Sequence, residues 1–188
     1  MAVPDQSGTL RLFFALTPVA TQSAALAERV APLIAQLHAQ RVPPENFHAT
    51  LCFLGAVAPE RLAPLKEMAA GIRGTSAKLH FDALDHWPKP GVLCATAPDN
   101  SLLDPLRALA QRLAADSTAA GFSSDVKPFR AHLTVARKVQ RVAAAECDWP
   151  LPLAPPFVVD CDRFMLMSSR RGESGSIYSV VESWPLYA

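Results

Sequence analysis

The apolar run TLRLFFAL (9–16) is short and rich in β-favouring side chains, so it predicts a strand. Thr17 and Pro18 then read as a helix start, with Thr as the cap and Pro at the first helical position. The alanine-rich segment from Pro18 to about Gln40 continues as a helix. Pro32 should kink it or end it early, because proline removes a backbone donor and crowds the preceding turn. A strand at 47–54 follows, then a helix at about 59–71 and strands near 78–84 and 91–97. In SLLDPLRALAQRLAADSTAAG (101–121), Leu102, Leu106, Leu109 and Leu113 recur near one face, predicting a second long helix that Gly121 stops. Strands near 131–137, 157–167 and 176–182 finish the chain.

This order gives an α+β protein in two rough halves, each with a long helix and a strand near a histidine. The connection DWPLPLAPP (148–156) reads as a rigid surface loop or extended crossover, not a domain linker. With 188 residues, half of them hydrophobic, the chain can bury a substantial interior as one domain spanning 1–188, or as two lobes sharing a core.

The formal net charge is +1, so neither a long basic surface for duplex nucleic acid nor an acidic tail is indicated. A nucleic-acid ligand would be short, or bound at one end. Cys52, Cys94, Cys147 and Cys161 lie scattered without a Cys-x-x-Cys pair, which reads as reduced, mostly buried thiols of a cytoplasmic protein. The opening MAVPDQSGTLRLFFAL has no basic leader and too short an apolar run for a signal peptide. No run approaches the roughly 18 apolar residues of a membrane span.

Chemistry enters with a repeated phrase. NFHATLCFLG (46–55) and FRAHLTVAR (129–137) both contain His-x-Thr followed by an apolar residue. With five histidines and eight threonines, chance predicts roughly 0.2 such triplets. Taken singly, each histidine is most simply a hydrogen-bonded strand residue; a matched pair in β-like context is harder to dismiss. Side chains alternate along a strand, so His48 shares a face with Thr50 while Ala49, Leu51 and Phe53 share the other. His132 likewise shares a face with Thr134 against Leu133 and Val135, and the apolar faces should turn into the core. Two such strands facing one cleft would place two imidazoles on opposite sides of a ligand. That suits in-line displacement at phosphorus, where one group takes a proton from the attacking oxygen and the other protonates the departing one. An imidazole pKa of about 6.5 allows one neutral and one charged ring near neutrality. The threonine hydroxyls can donate to non-bridging phosphate oxygens.

Five basic residues and no acid lie between Lys127 and Arg141. Lys127, Lys138 and Arg141 can equally form a solvated edge that discourages strand pairing. Arg130 shares the parity of His132 and is a candidate phosphate ligand. Arg137 follows the motif directly, but its parity is opposite, so a bulge or strand end must aim it into the cleft.

These residues resemble the 2H phosphoesterases, and in particular the bacterial RNA 2′,3′-cyclic phosphodiesterases, historically called 2′-5′ RNA ligases. RLFFALTP (11–18) looks like that family's opening strand and helix start, VPPENFHATLCFLG (42–55) its first motif, and FRAHLTVAR its second. LMSSRRGESGSIYSVVESWPL (166–186) looks like its terminal hairpin. Ala131 departs from the proline frequent before the second histidine, which should loosen the start of the strand without disabling chemistry. The resemblance implies a bilobal, pseudo-twofold fold, with antiparallel sheets lining a central groove and helices outside. It implies hydrolysis of RNA 2′,3′-cyclic phosphate ends to 2′-phosphates without metal or cofactor; a monomer is the separate expectation for the chain. His48 would be the proton donor and His132 the proton acceptor, with Thr50, Thr134 and Arg137 holding the phosphate. The residue types alone leave open which histidine is acid and which is base.

Other features point elsewhere. His80 and His86, with Asp82 and Asp85, lack a metal-ligand spacing and read as structural. His38 reads as a favourable charge at a helix C-terminus. Cys52 shares the parity of His48 and could line the cleft, although a filler role is the simpler reading. Phe13, Phe14 and Phe47 could stack a base but read first as core. The other class of function is a non-catalytic RNA-end-binding module, which would need hydroxyls and arginines but not two titrating rings. Within the enzyme class, 2′-5′ ligation and small cyclic-nucleotide hydrolysis remain as alternatives.

Overall fold

Two antiparallel sheets organise the chain, and the computed structural model describes residues 8–124, 128–172 and 175–187 of it. In chain order the elements are β1 (Leu10–Leu16), α1 (Ala20–Gln36), β2 (Gln40–Arg41), β3 (Ala49–Val57), α2 (Leu62–Ala70), β4 (Ala77–Trp87) and β5 (Val92–Thr96). There follow α3 (Asp104–Ala119), β6 (His132–Arg137), α4 (Arg141–Ala144), β7 (Leu151–Cys161), β8 (Arg163–Gly172) and β9 (Gly175–Pro185). The strand orders are β3-β1-β8-β9 and β2-β6-β5-β4-β7. Apart from the added β2, the two orders match position for position. β1–α1–β3 in one sheet corresponds to β5–α3–β6 in the other, and each unit ends on a His-x-Thr strand.

The apolar pattern explains the layering. Leu26, Val30 and Ile34 recur along the buried side of α1, which packs against β6. Leu106, Leu109 and Leu113 do the same on α3, which packs against β3. Each long helix therefore covers the histidine strand of the opposite unit, and one buried apolar cluster draws on both sheets. In β1 the even positions Leu10, Leu12, Phe14 and Leu16 enter that cluster. Phe13 and Ala15 point the other way and form a second small cluster with Met167. That second face becomes the floor of the groove described below.

Several expectations need correction. Leu151–Cys161 is a strand, so most of the proline-rich stretch is not a loop. Strand β7 lies at the edge of its sheet, where a missing N–H leaves no neighbour unsatisfied. Its pairing with β4 jumps from Phe157 to Pro152, so Ala154, Pro155 and Pro156 fall in an irregular excursion. The single strand expected at 157–167 is two strands broken at Asp162, each in a different sheet. Helix α1 continues past Pro32 but stops at Gln36, short of Gln40. Its cap is Val19 rather than Thr17: the Val19 N–H donates to Gln22 Oε1 (3.3 Å), while the Thr17 hydroxyl donates to Met165 Sδ (3.3 Å). Gly121 does end the second long helix, in the left-handed region at φ 76° that glycine occupies without strain. Leu102 lies in a 3₁₀ turn before α3 and is exposed, so it does not belong to the buried leucine face.

The difference between Leu102 and Leu113 is measurable. Leu113 is fully buried and Leu102 is 62% exposed, so Leu113→Ala should cost about 2–5 kcal/mol in urea denaturation. Leu102→Ala should stay within about 0.5 kcal/mol. Equal losses would mean that the helix presents a different face to β3.

Candidate active site

Both His-x-Thr strands are bulged at the same point. Ala15 pairs with Thr50 and Phe14 with Cys52, leaving Leu51 as the extra residue in β3. Cys94 pairs with Thr134 and Leu93 with Ala136, leaving Val135 extra in β6. A bulge inserts one residue and resets the alternation. Leu51 and Cys52 therefore both turn into the core, as do Val135 and Ala136. The next residue in each strand returns to the groove, Arg137 in one and Phe53 in the other; Phe53 therefore leaves the core face that simple alternation with Ala49 and Leu51 assigned it. Arg137 thus gets the bulge its parity demanded, and Cys52, buried in the core, does not line the histidine groove and only borders the hollow beside it.

His48, Thr50, His132, Thr134 and Arg137 all line one groove of about 840 Å³. Arg130 does not line it. It lies in an adjoining hollow of about 390 Å³ that Thr50, Phe53, Trp87, Phe129 and His132 also line. The Arg130 guanidinium sits 4.6 Å over the Trp87 ring and 3.6 Å from Asp85 Oδ2. The Trp87 indole N–H donates to the same carboxylate (2.8 Å). Lys138 and Arg141 are exposed and line neither cavity, and Lys127 lies outside the described residues.

The two histidines are held alike. His48 Nδ1 is 2.7 Å from the Asn46 carbonyl oxygen, and His132 Nδ1 is 2.8 Å from that of Arg130. A carbonyl can only accept, so Nδ1 carries the proton in both rings and Nε2 keeps its lone pair when neutral. The His48 ring packs on Phe13 (5.0 Å) and Tyr178 (4.7 Å), and the His132 ring on Trp87 (4.6 Å). Burial pushes the His48 pKa down to about 4; the Asn46 carbonyl opposes this, and the charges of His132 and Arg137 add to the depression. His132 is lowered first by burial, against the Arg130 carbonyl, and then by the Arg130 guanidinium. Cys94 lies 3.7 Å from the Thr134 hydroxyl, and burial pushes its thiol up to about 11, so it backs Thr134 as a neutral group.

Phe13 underlies His48, whereas Phe14 and Phe47 belong to the core. His86 packs on Trp149 (5.7 Å) and Asp85 serves Trp87, so they make up no metal site. Among the described residues no group of three or more His, Cys, Asp or Glu could hold a metal ion. His38 is exposed just past the C-cap of α1, at φ 48°. Phe53, Trp87, Tyr178, Arg11, Arg170 and Arg171 are among the lining residues that the motifs did not reveal. For Phe53 a signal existed: it stands five residues after His48, as Arg137 stands five after His132.

The doubled histidine strand on this pair of sheets defines a phosphoesterase class. A sequence model of the LigT-like phosphoesterases matches residues 16–94 and 97–178, and the chain belongs to that family. It is 32% identical over 118 residues to the RNA 2′,3′-cyclic phosphodiesterase of Archaeoglobus fulgidus, a match covering 58% of this chain and 64% of that protein. It is 32% identical over 101 residues to the RNA 2′,3′-cyclic phosphodiesterase of Geobacillus stearothermophilus, covering 51% of this chain and 31% of that protein. The matches thus span under two thirds of either relative. The crystal structure of E. coli LigT complexed with 3′-AMP superposes with a TM-score of 0.81 at 24% identity, covering 95% of this chain and 98% of that one, which establishes the shared fold.

The paired carbonyl bonds predict a specific spectroscopic result. At pH 7 both His48 and His132 should be neutral Nδ1–H tautomers in ¹⁵N ring spectra, with His48 protonating only near pH 4. An Nε2–H tautomer at either ring, or a His48 midpoint near 6.5, would contradict the geometry.

Proposed function

We propose that this chain hydrolyses the 2′,3′-cyclic phosphate at an RNA end to a 2′-phosphomonoester by two-histidine acid–base catalysis. The observation that carries the reading is the matched pair of imidazoles whose free Nε2 positions share one groove with Thr50, Thr134 and Arg137. The activity named for the two relatives supports the same reaction. His132 Nε2 takes a proton from water as its oxygen bonds to phosphorus. The P–O3′ bond breaks on the opposite side, and His48 Nε2–H gives its proton to O3′. Thr50 and Thr134 donate to the non-bridging oxygens, and the Arg137 guanidinium balances their charge. The turnover leaves His132 charged and His48 neutral, and exchange with solvent resets them. The hollow of Phe53, Trp87, Phe129 and Arg130 offers the terminal base an apolar wall beside the phosphate.

Among the described residues no helix is long and apolar enough to cross a membrane. None of the four cysteines is in a disulfide, and three are buried. The reduced thiols fit a protein working in the reducing cytoplasm.

The decisive experiment incubates the protein with a 2′,3′-cyclic-phosphate-ended oligoribonucleotide in excess EDTA and identifies the product isomer. A 2′-phosphate should form. His48→Ala and His132→Ala should each lower turnover about 10²- to 10⁴-fold, and Thr50→Val or Thr134→Val should lower it less. A histidine variant with near-native turnover would remove that residue from the mechanism, and loss of activity in EDTA restored by zinc or manganese would replace it with a metal-assisted one.

The pKa directions set the expected pH profile. Catalysis uses the form of the pair carrying one proton, and kcat/KM reports the free protein. Both rings are depressed there, His48 to about 4. The kcat/KM bell should therefore centre below pH 6.5 and fall as pH rises through neutrality. A bound phosphate anion favours the charged imidazole, so the kcat bell should lie at higher pH. A kcat/KM maximum at pH 7.5 or above would contradict the depressed pair.

A further inference from the structure

The groove does not end at the histidines. Arg11, Arg170 and Arg171 line it too, together with Ser169 and Ser176. With Arg137 this gives four arginines along one groove, and none of the described residues lining it is acidic. The whole chain carries a formal charge of only +1, so this positive lining is a local concentration. Arg11, Arg170 and Arg171 are exposed, and none forms an ion pair with a described residue.

The sheet register locates this cluster relative to the chemistry. Phe13, beneath His48, pairs with Met167; two residues away along the same strands, Arg11 pairs with Ser169. Ser169 in turn pairs with Tyr178, whose ring touches His48, and Arg171 pairs with Ser176 one further step along. Two residues along a strand advance about 7 Å, which is close to the spacing of consecutive phosphates in a nucleic-acid strand. Guanidinium groups bind phosphate oxygens through paired N–H donors, and the serine hydroxyls add single donors.

We propose that Arg11, Arg170 and Arg171 form a second phosphate subsite. It receives the phosphodiester on the 5′ side of the terminal nucleoside, and so makes oligonucleotides rather than cyclic mononucleotides the preferred substrate. The inference rests on the RNA-end reading above and adds the substrate class to it. A cyclic mononucleotide has no phosphate to place there. An oligonucleotide has one, and binding it would release counterions and make affinity depend on salt. The three arginines sit on β1 and on the β8–β9 hairpin, so both ends of the chain contribute to the subsite.

The test has two independent readouts on the folded protein and on the triple variant Arg11→Gln/Arg170→Gln/Arg171→Gln. The first is kcat/KM for a 2′,3′-cyclic mononucleotide and for a trinucleotide ending in the same cyclic phosphate. The second is equilibrium binding of a fluorescent trinucleotide ending in a 2′-phosphate, measured at several salt concentrations. The natural protein should prefer the trinucleotide. The triple variant should lose about tenfold or more in kcat/KM on it, mainly through KM, and much less on the mononucleotide. Its trinucleotide affinity should fall similarly, with a shallower salt slope. Equal losses on both substrates, or no loss of trinucleotide affinity, would overturn the subsite. If the natural protein turned over neither substrate, the catalytic reading would fail, and the binding readout would still decide the subsite.

Discussion

The chemistry of the groove depends on one hydrogen bond made twice, from a histidine Nδ1–H to the carbonyl oxygen two residues earlier. The bond fixes each tautomer and aims each Nε2 outward. The same nitrogen can then accept a proton as a base or, once protonated, deliver it as an acid, without the ring turning over. The partner matters as much as the bond. A carboxylate beneath the ring would favour the imidazolium, whereas a peptide carbonyl carries no net charge and holds the ring in place while burial keeps it neutral.

The bulges at Leu51 and Val135 supply the second constraint. Each lets a strand present three groove-facing side chains, two of them spaced by the ordinary alternation and the third displaced by one residue, while sending two consecutive apolar side chains into the core. The units share this backbone device but fill it differently. After the bulge one carries Phe53 and the other Arg137. Thr50 stands beside Ala15 and Thr134 beside Cys94. The His48 ring rests on Phe13 and Tyr178, and the His132 ring on a tryptophan that is tied to Asp85 and covered by Arg130. A substrate with a charged end and a flat apolar base meets unlike partners on two similar walls.

How much of this was legible follows from the range of each interaction. The long helices and the histidine strands were readable because periodicity, Gly121 and the His-x-Thr phrase are local signals. The need for a bulge at Arg137 was readable from parity; the same reasoning applied five residues past His48 would have placed Phe53. The edge strand β7 was hidden because prolines imitate a loop wherever the sheet edge cannot be seen in advance. Trp87 and Tyr178 were hidden for a different reason. They meet His132 and His48 only through strand pairings between distant parts of the chain, and no local pattern encodes a register of that kind.

The groove's positive charge and its catalytic protonation pull against each other. Burial disfavours a proton on each imidazole, and the arginines that attract a phosphate disfavour it further. Near pH 7 the free protein therefore favours two neutral rings, and a proton must be gained before either can act as an acid. A bound phosphodiester brings a negative charge to the same space, offsets the guanidinium field and restores the value of a charged imidazole. On the proposed mechanism, the proton that will leave with O3′ is taken up when the substrate binds, so the charge that makes the ligand recognisable also completes the acid that cleaves it. Each free Nε2 then needs no permanent counter-charge in the protein, consistent with a groove in which arginine, threonine and aromatic side chains, but no described carboxylate, line the wall.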